Sequence, residues 1–267
     1  LEGRDGSSIP EMLDEQVAVV LINHVDYRSG IIRDMENLTR QVQEFGGLTV
    51  WDLSHSAGIF PVQLNRCRVD FAVGCTYKYL NGGPGAPAYL YAASRHHAAC
   101  NQPLSGWFGH ARPFDFERHF DPDSGIRRFV CGTQPILSLR ALQSGLEIYQ
   151  DVSLQQVREK SMALTDLFIK LLMNECAAWE LEIISPEDAS QRGSQVAVSH
   201  PEGYAVMQAL ISRGVIGDFR APNLMRFGFA PLFLSYQDIH DAVKQLKQIL
   251  ESKEWNQEVF LQKSKVT

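Results

Sequence analysis

A lysine and an aspartate each follow a short apolar segment, where a charged side chain needs a reason to be present. Lys78 stands in "GCTYKYLNGGPG" (74–85), after the apolar run "VDFAV" and before a glycine-rich loop. Asp52 stands in "LTVWDLSH" (48–55), at the end of another apolar run. A partly desolvated lysine has a lowered pKa and can form a Schiff base with an aldehyde. A buried carboxylate favours a cationic partner, because an unpaired buried charge is costly.

Each of these residues also has a purely structural interpretation. Lys78 is compatible with an exposed lysine at a strand end, Asp52 with a helix N-cap after a strand, and His55 with a structural histidine. The glycine-rich loop lacks the Lys-Ser/Thr ending of a nucleotide-binding P-loop. Histidines 55, 96, 97 and 110 do not have the spacing of metal ligands. The sequence therefore predicts neither a metal site nor a P-loop.

The elements that must position Lys78 and Asp52 alternate between strand and helix. Apolar runs predict strands at 17–25, 48–55, 69–77 and 86–94, and a helical pattern covers 34–47. The first run is nearly continuous, which predicts a parallel strand buried on both faces. The short loop between 77 and 86 predicts that the fourth strand is antiparallel to the third. Ligands bind where the strands of such α/β sheets end, which is where both charged residues lie.

The rest of the chain has a different character. Residues 100–135 form an aromatic segment rich in glycine and proline, as in ordered functional loops. Helical patterns follow at 136–150, 152–178, 203–214 and 235–253, with strand candidates at 179–184, 194–200 and 223–233. The pattern predicts a large α/β domain with a mostly parallel sheet over 1–150 and a smaller α+β domain over 151–267.

Composition excludes several classes of protein. The 267 residues carry a net charge of −6, so no basic field favours nucleic acid. No apolar run approaches the length of a membrane span, which argues against a membrane partner. The five cysteines are scattered without a CxxC pair, which favours a reduced, cytoplasmic protein.

Five motifs occur in one order along the chain: "WDLSHSAG", "GCTYKYLNGGPG", "PLSGWFGH", "CGTQP" and "RFGFAPL". Together they resemble the kynureninase family. This resemblance implies a fold-type-I, pyridoxal-phosphate-dependent transferase-like fold with a C-terminal α+β domain. It also implies hydrolysis of L-kynurenine to anthranilate and L-alanine in tryptophan catabolism, leaving open the preference for the 3-hydroxy form. A homodimer with shared active sites is implied as well.

The resemblance assigns five residues to the cofactor, pyridoxal 5'-phosphate. Lys78 is expected to hold its aldehyde, and Asp52 to bind its pyridine nitrogen. His55 is expected beside its polar edge. Tyr77 is expected to reach the phosphate and to relay a proton. Asn23 occupies a contact position that Ser or Thr usually holds in the family, and Asn also donates hydrogen bonds.

Three further residues are assigned by the same resemblance. Trp107 and Thr133 are expected to come from the neighbouring subunit, near the cofactor phosphate, although a loop anchor and a turn residue are the structural alternatives. Arg226 is expected to clamp the substrate α-carboxylate with two hydrogen bonds. Its place in an apolar strand favours a functional partner, because an unpaired buried guanidinium is costly.

The start of the chain departs from the family pattern. It begins "LEGRDGSSIPEM" and reaches a core-like run by residue 17. Family members carry a preceding segment that supplies the phosphate cradle and an aromatic residue that stacks on the ring. We therefore expect an incomplete large domain. Residues 1–267 alone are expected to bind the cofactor weakly at best, to show no kynurenine cleavage, and to aggregate.

Two alternatives to a kynureninase remain at this point. One is an aminotransferase or a desulfurase-like enzyme of the same fold type. A desulfurase needs a reactive cysteine on a mobile loop, and Cys176 lies in a helical pattern that fits poorly. The other is a non-catalytic remnant, or a partner subunit, that has lost its cofactor cradle.

Overall fold

The structure is a computed structural model that describes residues 9–263. These residues divide into two compact units. The first contains 9–24, 34–57 and 62–151, and the second contains 25–33, 58–61 and 152–263. Two short segments thus belong to the second unit although their sequence neighbours belong to the first. That residues 1–150 bind the cofactor, and that residues 151–267 form a small C-terminal domain with a linking helix, stays a prediction.

The first unit is built on a four-stranded sheet in the order β1-β2-β3-β4. Its strands are β1 (Val19–Asn23), β2 (Leu48–Asp52), β3 (Phe71–Cys75) and β4 (Ala88–Ala92). Strands β1, β2 and β3 are parallel, and β4 is antiparallel to β3, as predicted. Helix α1 (Met35–Glu44) connects β1 to β2. It is capped by Asp34, whose side chain accepts a hydrogen bond from the Asn37 amide.

The two faces of this sheet differ in burial. Val20, Ile22 and Trp51 point into a hydrophobic core with α1. Val19 and Leu21 point to the opposite face and are 47% and 53% exposed. The prediction that β1 is buried on both faces is therefore wrong for the described residues. An apolar run is compatible with either arrangement, and α1 packs on one face alone.

Two further α-helices and a long irregular segment belong to the first unit. The short helix α2 (Ser94–His97) follows β4, and α3 (Ile136–Glu147) comes near the end of the unit. Between them, two 3-10 helices, Trp107–Gly109 and Ile126–Phe129, interrupt a chain without longer elements. The prediction of an ordered loop region is confirmed.

The second unit is α+β, as predicted. Its antiparallel sheet has the order β5-β6-β8-β7. The strands are β5 (Glu182–Ile183), β6 (Gln195–Ser199), β7 (Asp218–Arg220) and β8 (Leu224–Gly228). The helices are α4 (Leu154–Glu175), α5 (Gly203–Ser212), α6 (Tyr236–Ser252) and α7 (Glu258–Leu261).

Strand β7 and helix α7 were not predicted, because each is too short to show a periodic pattern. Both long helices of this unit begin with a capping box, at Ser153 in α4 and Ser235 in α6. Their apolar faces pack on the sheet around Phe168 and Met225. Within residues 9–263, no helix is long and apolar enough to cross a membrane.

Candidate functional site

The carboxyl ends of β1, β2 and β3 bring together most of the residues that the sequence assigned to a cofactor. Asn23 ends β1 and Asp52 ends β2, and the strand register places them opposite each other. Lys78 lies three residues beyond Cys75, the last residue of β3. Because parallel strands end at the same edge of a sheet, one edge carries an amide, a carboxylate and an amine.

The Lys78 side chain is half-buried and contacts two ring side chains. Its Nζ lies 3.1 Å from His55 Nε2 and 5.7 Å from the centroid of the Tyr77 ring. The first distance is that of a hydrogen bond, and the second is within range of a cation–π interaction. His55 thus contacts the lysine directly, a role that its sequence context did not indicate.

The Asp52 carboxylate takes part in a local turn and faces the same edge. Its Oδ1 accepts a hydrogen bond from the Ser54 amide at 2.8 Å. The described residues between β2 and β3 contain no helix, so this bond closes a turn and the interpretation of Asp52 as a helix N-cap is wrong. Within residues 9–263, no ion pair is formed by this half-buried carboxylate. A partly desolvated carboxylate without a cation fits a protonated pyridine nitrogen as its partner.

Tyr77 completes this group with a protonated hydroxyl. Partial burial raises the pKa of the phenol above its ordinary value, and Cys75 and Asp52 nearby raise it further. An ordinary phenol is already protonated at neutral pH, and this shift acts in the same direction, so the hydroxyl is available as a donor. Cys75 itself is a neighbour that the sequence analysis did not single out.

The turn that carries Lys78 is closed by its own backbone. The Asn81 amide donates to the Lys78 carbonyl at 2.9 Å, and the Gly82 amide donates to the Thr76 carbonyl at 2.8 Å. Gly83 and Gly85 follow with φ of 77° and 76°, a conformation that favours glycine. The backbone conformation of the turn therefore accounts for both glycines.

Helix α3 and the residues after it support this turn from a distant part of the chain. The Tyr149 hydroxyl donates to the Tyr79 carbonyl at 2.5 Å. A Cβ atom at Gly145 would lie 2.6 Å from the Asn81 carbonyl oxygen, so the helix approaches the turn as closely as a glycine permits. The sequence offered no signal for this support, because the partners are 70 residues apart.

Trp107 and Thr133 lie on two loop segments that touch each other. A Cβ atom at Gly106 would lie 1.6 Å from the Cys131 carbonyl oxygen, so the segments pack backbone to backbone. Both side chains are exposed. The Trp107 ring contacts Phe108 and Phe114, with centroids 4.2 and 5.8 Å apart. The structure thus places these two residues side by side on the surface of the first unit.

Arg226 lies in β8 of the second unit and is 10% exposed. Its Nε and Nη2 donate to the two carboxylate oxygens of Asp218 at 2.6 and 2.5 Å, and its Nη1 donates to the Tyr27 carbonyl. The argument that this guanidinium lacks an internal partner is wrong, because the unpredicted strand β7 supplies one. Its contact with a substrate stays a prediction.

Comparisons with known proteins agree with the motifs. A family model described as the kynureninase C-terminal domain matches residues 157–246. A protein named kynureninase from Burkholderia mallei (strain SAVP1) is 49% identical over 263 residues, which cover 98% of this chain. These matches confirm the resemblance to kynureninases. The chain spans 63% of the length of that relative.

Solved structures show the same fold at lower identity. The apo cysteine desulfurase from Thermococcus onnurineus NA1 superposes with a TM-score of 0.79 at 19% identity, covering 94% of this chain and 66% of that one. A mutant of C-DES with glycine covalently linked to the PLP cofactor has a TM-score of 0.79 at 17% identity, covering 92% and 64%. The predicted fold-type-I α/β architecture is confirmed.

Proposed function

We propose that the protein carrying this chain is a pyridoxal-phosphate-dependent hydrolase that cleaves L-kynurenine into anthranilate and L-alanine. The supporting observation is the group formed by Lys78, His55 and Asp52 where the parallel strands of the first sheet end. It occurs in a chain that is 49% identical, over 98% of its length, to a protein named kynureninase. We place the reaction in tryptophan catabolism, in the cytoplasm.

Five residues of the first unit would hold the cofactor. Lys78 supplies the amine for its aldehyde, and Asp52 supplies the carboxylate for its ring nitrogen. His55, Tyr77 and Asn23 supply hydrogen-bonding groups around them. When bound, pyridoxal phosphate supplies a sink for the electrons left when the α-carbon loses its proton and when the bond between Cβ and Cγ is cleaved.

Proton transfer falls to Lys78 and its neighbours. Lys78 Nζ takes the α-proton, which requires a neutral amine at that moment. His55 Nε2, 3.1 Å away, holds Nζ in position and can accept its proton. The Tyr77 hydroxyl is protonated at neutral pH, as a phenol ordinarily is, and it assists the addition of water at the γ-carbonyl of kynurenine.

Substrate recognition falls to Arg226, whose guanidinium would bind the α-carboxylate. A second copy of the chain would contribute Trp107 and Thr133. This homodimer is supported by large exposed apolar side chains of the first unit: Phe116 in the irregular segment and Leu137 in α3 are each 88% exposed. Exposed patches of this kind mark sites of protein association.

A desulfurase activity is the main alternative within the fold. Cys176 cannot serve it, because burial raises the pKa of its thiol to about 11 and keeps it protonated at neutral pH. A remnant without catalysis would retain the fold and show no turnover.

The deciding experiment uses the purified protein that carries this sequence, incubated with pyridoxal phosphate and L-kynurenine. Anthranilate fluorescence should increase with time, and L-cysteine should give no sulfide. Lys78→Ala should abolish both turnover and the visible absorbance of lysine-bound cofactor. Lys170→Ala, which removes an exposed lysine of α4, is the matched control and should change neither. Full turnover in Lys78→Ala would overturn the proposal.

A further inference from the structure

The Arg226 guanidinium has two donors left after its internal contacts are counted. A guanidinium carries five N–H groups. Asp218 accepts from Nε and Nη2, and the Tyr27 carbonyl accepts from Nη1. One N–H remains on each of the two terminal nitrogens. Two N–H groups on neighbouring nitrogens are what a carboxylate needs for two parallel hydrogen bonds.

Asp218 faces Arg226 across two paired strands and orients its guanidinium. It lies directly opposite Arg226 in the antiparallel pairing of β7 with β8. Its two oxygens engage the side of the guanidinium that includes Nε, so they fix the plane and the direction of the group. The same carboxylate lies 3.6 Å from Arg220 Nη2.

The charge of this cluster suits an anion. Asp218 is one negative group between two arginines, so the three side chains together carry one net positive charge. The Tyr27 carbonyl contributes a dipole and no charge. An added carboxylate would therefore balance the cluster.

We propose that Asp218 is a positioning residue that directs the free donors of Arg226 at the α-carboxylate of the amino-acid substrate. This inference rests on the proposed function, since it takes Arg226 as the carboxylate-binding residue. A cross-strand ion pair that merely stabilises the sheet is the competing explanation. A positioning role predicts that loss of Asp218 weakens the binding only of substrates that carry an α-carboxylate. A purely structural ion pair predicts an equal effect on substrates with and without this group.

The test compares wild type, Asp218→Ala and the control Asp241→Ala in the intact protein with bound cofactor. Asp241 lies on the exposed side of α6 and contacts Gln237. Asp218→Ala should raise KM for L-kynurenine about 10- to 100-fold and change kcat less than about threefold. The Kd of L-alanine, followed by the absorbance of the bound cofactor, should rise by a similar factor. Asp218→Glu should restore part of the loss.

A kynurenine analogue with hydrogen in place of the α-carboxylate separates positioning from folding. Wild type and Asp218→Ala should have equal KM and kcat for this analogue. Unchanged L-alanine binding in Asp218→Ala, or an equal loss with the analogue, would overturn the inference while leaving kynurenine cleavage by wild type intact. Weakened L-alanine binding in a protein that cannot cleave kynurenine would support the positioning role and refute the proposed reaction. Wild type that binds no α-amino acid would overturn both.

Discussion

Replacing Asp70 with asparagine should destabilise the first unit without touching the candidate site. The Asp70 carboxylate precedes β3, at the opposite end of the strand from Lys78, and is 2% exposed. Its Oδ2 accepts from the Thr49 amide, the Thr49 hydroxyl and Gln43 Nε2 at 2.9, 3.0 and 3.0 Å. Its Oδ1 lies 2.6 Å from Arg95 Nη2 and 2.8 Å from His96 Nε2.

The size of this destabilisation follows from the pKa of the Asp70 carboxyl. Burial by itself raises the pKa, but the hydrogen bonds from Thr49, Gln43, His96 and Arg95 outweigh burial and lower it from 3.8 to about 2. A depressed pKa means that ionised Asp70 stabilises the folded state at pH values above the unfolded pKa. Through linkage, this difference corresponds to roughly 2–3 kcal/mol at pH 7. The contribution disappears as the pH falls from about 4 to about 2.

Urea denaturation of wild type and Asp70→Asn, followed by circular dichroism, measures this contribution. The variant should lose roughly 2–3 kcal/mol of unfolding free energy at pH 7, and the difference should narrow below pH 4. Asp115→Asn, which removes an exposed carboxylate paired with Arg112, should change stability by less than about 0.5 kcal/mol. Arg95→Gln should cost less than Asp70→Asn, because it leaves the other donors in place.

Two outcomes would refute this reasoning. One is an Asp70→Asn protein as stable as wild type at pH 7. The other is a stability difference that stays constant down to pH 3, which would mean that protonation of Asp70 is not coupled to unfolding.

Three further predictions concern single contacts. Burial lowers the pKa of His24 from 6.5 to about 4. The free energy of unfolding should therefore be highest above pH 6.5 and should fall as the pH decreases towards 4. In urea unfolding, His24→Gln should weaken this pH dependence. Tyr149→Phe removes the hydrogen bond to the Tyr79 carbonyl and should cost about 1 kcal/mol in thermal unfolding, with weaker retention of pyridoxal phosphate on dialysis. Gly106→Ala should lower Tm strongly, because its Cβ would lie 1.6 Å from the Cys131 carbonyl oxygen.

Each of these three has its own contradicting result. An unchanged pH dependence in His24→Gln would mean that another group titrates in this range. Full cofactor retention in Tyr149→Phe would show that the Lys78 turn holds its shape without that support. Gly125→Ala is the control for Gly106→Ala, because the nearest atom to a Cβ there is 3.5 Å away. Equal Tm values for the two glycine variants would refute the close approach.

The sequence by itself predicted the order and type of most elements and the edge at which the chemistry lies. Hydrophobic periodicity reports which side of an element is buried, so α1, α4 and α6 were recognisable from local pattern. Asp52 and Lys78 follow apolar strands, and parallel strands end at a common edge. Local spacing was therefore sufficient to place both residues at the candidate site.

The tertiary structure alone decided which side chains pair. His55 and Lys78 are 23 residues apart, and their contact depends on how two loops leave neighbouring strands. Asp218 became the partner of Arg226 because a three-residue strand, too short for a periodic signal, pairs with β8. Whether the second face of β1 is exposed likewise depends on which element covers the sheet. An apolar run in the sequence does not indicate whether such an element is present. Periodicity encodes the burial of an element, whereas the pairing of distant polar groups arises only from the packing of whole elements.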